Sequence, residues 1–155
     1  MTPTLLDEIK QRKPFKSIYE EAALNILRTS ALLSADFEQM FKPYGITATQ
    51  YNVLRILRGA DEKGLCRNDV RDRLLNRMPD ATRLLDRMEK AGLISRSREQ
   101  EDRRLVATRL TKKGRELVDE LDPVVARQHR TRLGHLSDKQ LATLNTLLTL
   151  ARSRP

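Results

Sequence analysis

The sequence contains one cysteine, no tryptophan, and only three tyrosines and three phenylalanines in 155 residues. The lone thiol, Cys66, can form no internal disulfide and cannot build a cysteine-rich zinc site, so stability has to come from packing. Long apolar runs are also lacking: the stretch Leu144 to Leu150 is interrupted by Asn145, Thr146 and Thr149 and falls far short of the ~20 residues of a membrane span. Met1 to Lys13 mixes charges with Leu5, Leu6 and Ile9 and has neither the apolar core nor the small-residue cleavage site of a secretory signal, which gives the expectation of a cytoplasmic protein with no membrane partner. Catalytic constellations are missing too. The two histidines, His129 and His135, stand six apart in a basic helical stretch, and there is no phosphate-cradling glycine loop and no metal-ligand spacing. The chain is therefore expected to be no enzyme and to carry no cofactor and no metal, with Cys66 as a small buried thiol rather than a redox sensor.

What the chain has is positive charge. Thirty Lys and Arg oppose 21 Asp and Glu, for a formal charge of +9 and a pI near 10.1. That excess favours a polyanionic partner, although a third of the residues are charged and many charge runs only solvate helix faces. The length suits one sizeable core, so residues 1–155 are read as a single domain.

Apolar residues from Ile18 through Ile26, Leu33 and Phe37 to Phe41 recur at three- and four-residue intervals, which predicts a long helix from Lys16 to about Lys42, stopped by Pro43 and Gly45. Thr47 with Gln50 reads as a capping box for a second helix carrying Tyr51, Val53, Leu54, Ile56 and Leu57. After a short extended piece at Leu65 and Cys66, Asn68 is a plausible cap for a short third helix with Val70, Leu74 and Leu75. Pro79 then stands at the first position of a fourth helix that ends at Gly92. The period changes between Ile94 and Leu110, where alternation and strand formers predict a β-hairpin with a charged tip at Glu99 to Arg104. Thr111 caps a fifth helix that Pro123 is expected to bend, and Ser137 with Gln140 opens a sixth. The expected class is mainly α (α+β).

Two short helices joined by a tight turn and followed by a charged hairpin make the plan of a winged helix-turn-helix. The second helix of such a pair fits the ~12 Å major groove of duplex DNA and presents its first side chains to base edges. Here those are Arg77, Asp80, Thr82 and Arg83, with Arg87 one turn on and suited to phosphate. On the hairpin, Arg98, Arg103 and Arg104 are further candidates, the last two at an end that can enter the minor groove. From Arg67 to Arg109 twelve cations face eight anions. The same arginines can instead pair with neighbouring carboxylates, and residue types alone leave both readings open.

The run Ala81-Thr82-Arg83-Leu84-Leu85-Asp86-Arg87-Met88-Glu89-Lys90-Ala91-Gly92-Leu93-Ile94, followed by Glu101-Asp102-Arg103-Arg104 and Leu110-Thr111-Lys112-Lys113-Gly114, resembles the MarR family of bacterial and archaeal regulators. Upstream, Ile46-Thr47-Ala48-Thr49-Gln50-Tyr51-Asn52-Val53-Leu54 is similar to that family's second-helix opening. The resemblance spans about residues 20 to 152. It implies a homodimer held by helices at 16–45 and 112–153, with a winged region at 47–110 that binds a pseudo-palindromic double-stranded DNA operator. It also implies that Arg104 enters the minor groove while Asp102 supports the wing. Pro79 and Asp80 depart from the Ser or Thr with which the recognition helix of the family often begins. The implied function is a transcriptional repressor released by a small aromatic or anionic effector. Tyr19, Phe37, Phe41, Tyr44 and Tyr51 are the candidate ligand-lining residues, and core packing is the alternative for aromatic residues at helical spacing. A helical adaptor that binds a protein through the same fold is the alternative function, and it would show no steep salt dependence with duplex DNA.

Overall fold

Local capping determines where most elements begin. The computed structural model describes residues 3–60, 62–99 and 105–153, and the chain divides into two units, Met1–Ala48 and Thr49–Pro155. In the first unit Thr4 forms a capping box with Asp7 and opens α1 (Leu5–Glu8), a short helix that the apolar spacing does not reveal. The Ser17 side chain accepts from the Glu20 amide at 3.2 Å and opens α2 (Ile18–Phe41). A 3-10 turn at Lys42–Tyr44, containing Pro43, follows α2 and closes on Gly45, whose φ of +67° is the left-handed conformation that glycine supplies without a Cβ penalty. Helix α2 buries little of its apolar surface: only Phe41 is buried, while Ile18, Tyr19 and Leu27 are 75%, 83% and 64% exposed.

Helix α3 (Ala48–Arg58) begins at the unit boundary and buries Tyr51, Val53, Leu54 and Leu57. Helix α4 is Arg67–Arg73, and Cys66 stands at its N-cap with no side-chain bond to it, where Asn68 was the expected cap. Leu74 has left the helix with ψ of 140° yet stays buried, whereas Leu75 is 87% exposed and belongs to no core face. The chain turns there because the Leu75 amide donates to Asn52 Oδ1 at 2.9 Å instead of continuing the helical ladder.

Helix α5 is Thr82–Lys90, three residues later than the proline at position 79 predicts. The reason is Asp80, whose Oδ1 accepts from the Thr82 amide at 3.0 Å in a local side-chain turn that sets the helix start. Strands β1 (Ile94–Arg98) and β2 (Val106–Leu110) pair antiparallel from Ile94 opposite Leu110 to Arg98 opposite Val106. Leu65 adds a single bridge to Thr108, as its extended reading implies. Thr111 caps α6 (Lys112–Leu133), which carries Pro123 inside it, and the box of Ser137 and Gln140 opens α7 (Asp138–Arg152). The core of this unit is Val53, Leu54, Val70, Leu85, Met88, Ile94, Val118 and Leu121, each less than 3% exposed.

A polar tie joins α3 to α6. The Tyr51 hydroxyl donates to Asp122 Oδ1 at 3.1 Å, and Arg58 Nη1 pairs with Asp122 at 2.6 Å and Asp119 at 2.9 Å. Burial, then the bond to Asp122, pushes the Tyr51 phenol up to about 12, while the Arg58 bond holds the Asp122 carboxyl below its ordinary range. A raised phenol stabilises the fold below its unfolded value near 10 and loses that contribution as pH climbs to 12; a depressed carboxyl stabilises it above the unfolded value and loses that contribution in acid. Melting temperature is therefore expected to fall on both sides of neutrality. In Asp122→Asn the phenolate absorbance of Tyr51 should appear at lower pH than in the parent, and an unmoved Tyr51 titration would contradict the tie.

Candidate nucleic-acid interface

The winged unit sorts its arginines into two groups. Arg71 pairs with Asp72 at 2.8 Å, Arg96 pairs with Asp86 and Glu89 at 2.6 Å each, and Arg109 pairs with Glu99 at 2.6 Å while also donating to the Glu62 carbonyl and Ser97. Arg77, Arg83 and Arg98 are exposed and make no ion pair or side-chain hydrogen bond among the described residues. Carboxylate pairing thus holds for the first group, and the second is left facing solvent. Arg87 is exposed as well, its Nε donating only to the Arg83 carbonyl at 3.3 Å, a contact within its own helix.

The leading edge of α5 is held by a chain of three side chains. Arg67 Nη1 donates to Thr82 Oγ1 at 3.0 Å, and the Thr82 hydroxyl donates to Asp80 Oδ1 at 2.6 Å. These bonds fix the turn and hold the Asp80 carboxyl below the usual carboxylate range, the Thr82 hydroxyl contributing most and the Thr82 amide next. One face of α5 buries Leu84, Leu85 and Met88, so Arg83 and Arg87 necessarily point away from the core.

Arg96 fastens the hairpin to that helix. From β1 its guanidinium reaches both Asp86 and Glu89 on α5, and its backbone amide donates to Glu89 Oε1 at 3.2 Å. Glu89 is held below its ordinary range, chiefly by the Arg96 bond. Sequence spacing reveals neither the Arg67 to Asp80 chain nor the partner of this latch; its one signal is the i, i+3 spacing of Asp86 and Glu89 on one helix face. Asp102, Arg103 and Arg104 lie outside the described residues.

Within the first unit, Tyr19 lies apart from the other aromatic candidates. Phe37 and Phe41 stack with ring centroids 6.1 Å apart, and Tyr44 follows in the adjoining turn. Tyr19 sits on the same helix eighteen residues before Phe37, about 27 Å along the axis at ~1.5 Å per residue. Tyr51 is buried in the other unit with its hydroxyl committed to Asp122. Cys66 is half-buried, its Sγ 3.1 Å from Asp69 Oδ2. Among the described residues no helix is long and apolar enough to cross a membrane.

A family model described as transcriptional regulator SarA/Rot matches residues 36–121. The crystal structure of a MarR transcription factor from Planctomyces limnophilus is 38% identical, covering 88% of this chain and 99% of that one at a TM-score of 0.67. This chain belongs to the MarR family. As a MarR-family protein it is a DNA-binding transcription regulator built on a winged helix-turn-helix, with α4 and α5 as the helix pair and β1–β2 as the hairpin. Two further structures resemble it. The S. aureus MepR–DNA complex is 25% identical, covering 83% of this chain and 94% of that one at a TM-score of 0.76. BpsR of Bordetella bronchiseptica, described for regulation of its DNA binding by 6-hydroxynicotinic acid, is 24% identical, covering 92% and 100% at a TM-score of 0.77.

Proposed function

We propose that this MarR-family protein is a homodimeric repressor that lays the α5 helix of each copy into successive major grooves of a pseudo-palindromic operator, about one helical turn (~34 Å) apart. The observation that carries the reading is the sorting of arginines around α5: those that brace the fold have a carboxylate or, for Arg67, a hydroxyl partner, and Arg77, Arg83 and Arg98 have none among the described residues. Unpaired guanidinium groups beside an exposed helix edge suit base edges and phosphates, with Arg83 placed for guanine and Arg87 for the backbone. Thr82 contributes its methyl and one remaining lone pair, because its hydroxyl hydrogen is committed to Asp80. Arg103 and Arg104 are proposed for the wing tip and the minor groove, with Asp102 supporting the wing.

The dimer is supported by apolar surface that lies open in the single chain. Helix α7 buries none of its residues, and Leu144, Leu147 and Leu150 are 36%, 58% and 62% exposed. A second copy related by a two-fold axis covers such a surface with the same surface. We therefore assign the dimerisation segments to 16–45 and 112–153 and the winged region to 47–110. Release by a small aromatic or anionic effector is the regulatory reading, in line with the ligand named for BpsR.

Titration of a duplex operator under increasing salt tests the proposal. Arg83→Ala is expected to cost about 1–3 kcal/mol and relax base preference, and Arg104→Ala to weaken binding more evenly across sequences and lower the salt slope by about one. Unchanged affinity in both variants would remove the docking scheme, and a salt-independent parent would favour the protein-binding adaptor.

A further inference from the structure

The Asp80 carboxylate is an anion in a segment whose flanking arginines, Arg77 and Arg83, have no ion-pair partner among the described residues. It is exposed and stands two residues before the start of α5, between Arg77 and Arg83 in the chain. One of its oxygens is fully engaged: Oδ1 accepts from the Thr82 amide at 3.0 Å and from the Thr82 hydroxyl at 2.6 Å. The hydroxyl is itself oriented by Arg67 Nη1 at 3.0 Å, so the side chain is held by a chain of bonds rather than left to rotate. The other oxygen, Oδ2, has no donor among the described residues. A pre-positioned carboxylate with a free oxygen can only accept hydrogen bonds.

We propose that Asp80 is a base-selecting residue whose free oxygen favours cytosine, and disfavours guanine and thymine, at one position of each half-site. The inference rests on the reading above that α5 enters the major groove. A fixed anion is repelled by phosphate, so the side chain is compatible with a duplex only where it meets base edges. Among those edges guanine presents O6 and N7 and thymine presents O4, all acceptors, while cytosine presents the N4 amino donor beside a carbon-bound hydrogen. Adenine offers an amino donor too, but its neighbouring N7 acceptor faces the carboxylate. Asp80 therefore discriminates mainly by rejecting the wrong bases, and its negative charge lowers affinity for DNA in general.

Two variants separate this role from that of a helix cap. Asp80→Asn keeps an oxygen for Thr82 and puts an amide donor in place of the free oxygen, so a selection from a randomised duplex pool should move the preferred base from cytosine toward the acceptor-presenting guanine or thymine. Asp80→Ala should reduce a preference of about tenfold or more to within about twofold, and should bind a cytosine-to-thymine duplex several-fold more tightly than the parent does. Loss of a merely structural cap predicts the opposite sign, weaker binding to every duplex. If both variants keep the parent's base preferences, or if Asp80→Ala weakens binding to all duplexes alike, the proposal is overturned while the docking scheme stands. If the parent shows no duplex affinity, or Arg83→Ala and Arg104→Ala both leave it unchanged, the docking scheme falls and takes this proposal with it.

Discussion

Leu85→Ala is expected to reduce the unfolding free energy by about 2–5 kcal/mol, the range for emptying a fully packed leucine site. Leu85 is completely inaccessible, and Leu84 and Met88 beside it on α5 are 6% and 0% exposed. The helix has nine residues, too few to be stable alone in water, so its conformation depends on this packed face. Arg83→Ala, two positions away on the opposite face, removes no buried contact and should leave stability within about 0.5 kcal/mol of the parent. Chemical denaturation of the two variants, read beside their DNA affinities, separates the roles of the two faces. A loss below about 1 kcal/mol in Leu85→Ala would show that the inner face of α5 is not packed as described.

Gly114→Val is expected to destabilise the protein by about 1–3 kcal/mol or more, with Gly114→Ala following in the same direction. Gly114 lies in the first turn of α6 and is buried against the residue that leads into β1. A Cβ added there would overlap the Leu93 carbonyl oxygen and would stand 3.3 Å from Leu110 Cδ2. The obstacle is backbone and cannot rotate away. That same carbonyl accepts from the Thr111 amide at 3.2 Å, so relieving the overlap also pulls at the cap of α6. Thermal unfolding is the measurement. Gly92→Ala provides a contrast, since that site is open, with Lys113 Cδ at 3.9 Å, and its φ of +73° makes the expected cost of about 1–2 kcal/mol conformational rather than steric. Equal stability of Gly114→Val and the parent would mean that α6 and the Leu93 carbonyl do not approach as closely as they do here.

Periodicity and capping chemistry made most of the fold legible before any coordinates. The Thr111 and Ser137 caps, the left-handed Gly45 and Gly92, and the change from helical to alternating pattern at Ile94 all appear where side-chain and backbone preferences placed them. The misreadings fall on α4 and α5. Leu74 and Leu75 continue a helical spacing, but Asn52, twenty-three residues upstream, takes the Leu75 amide and ends the helix first. Pro79 is a proper helix opener by itself, yet Asp80 bonds forward to Thr82 and delays the start. A spacing argument sees neighbours in the chain and misses a competing partner from elsewhere.

The arginines show the same division. Sequence alone determined that the segment from Arg67 to Arg109 is cation-rich, that α5 carries its arginines opposite its leucines, and that the motifs around it are those of a MarR-type winged helix, because composition, periodicity and motif spacing are properties of one-dimensional order. Which cation is spent on the fold and which is left for a partner was decided only in three dimensions. Arg96 and Arg98 are two residues apart in the same strand, yet one is clamped between Asp86 and Glu89 and the other has no partner among the described residues. Coulomb and hydrogen-bond energies depend on distances of a few ångströms, and those are set by which elements pack together.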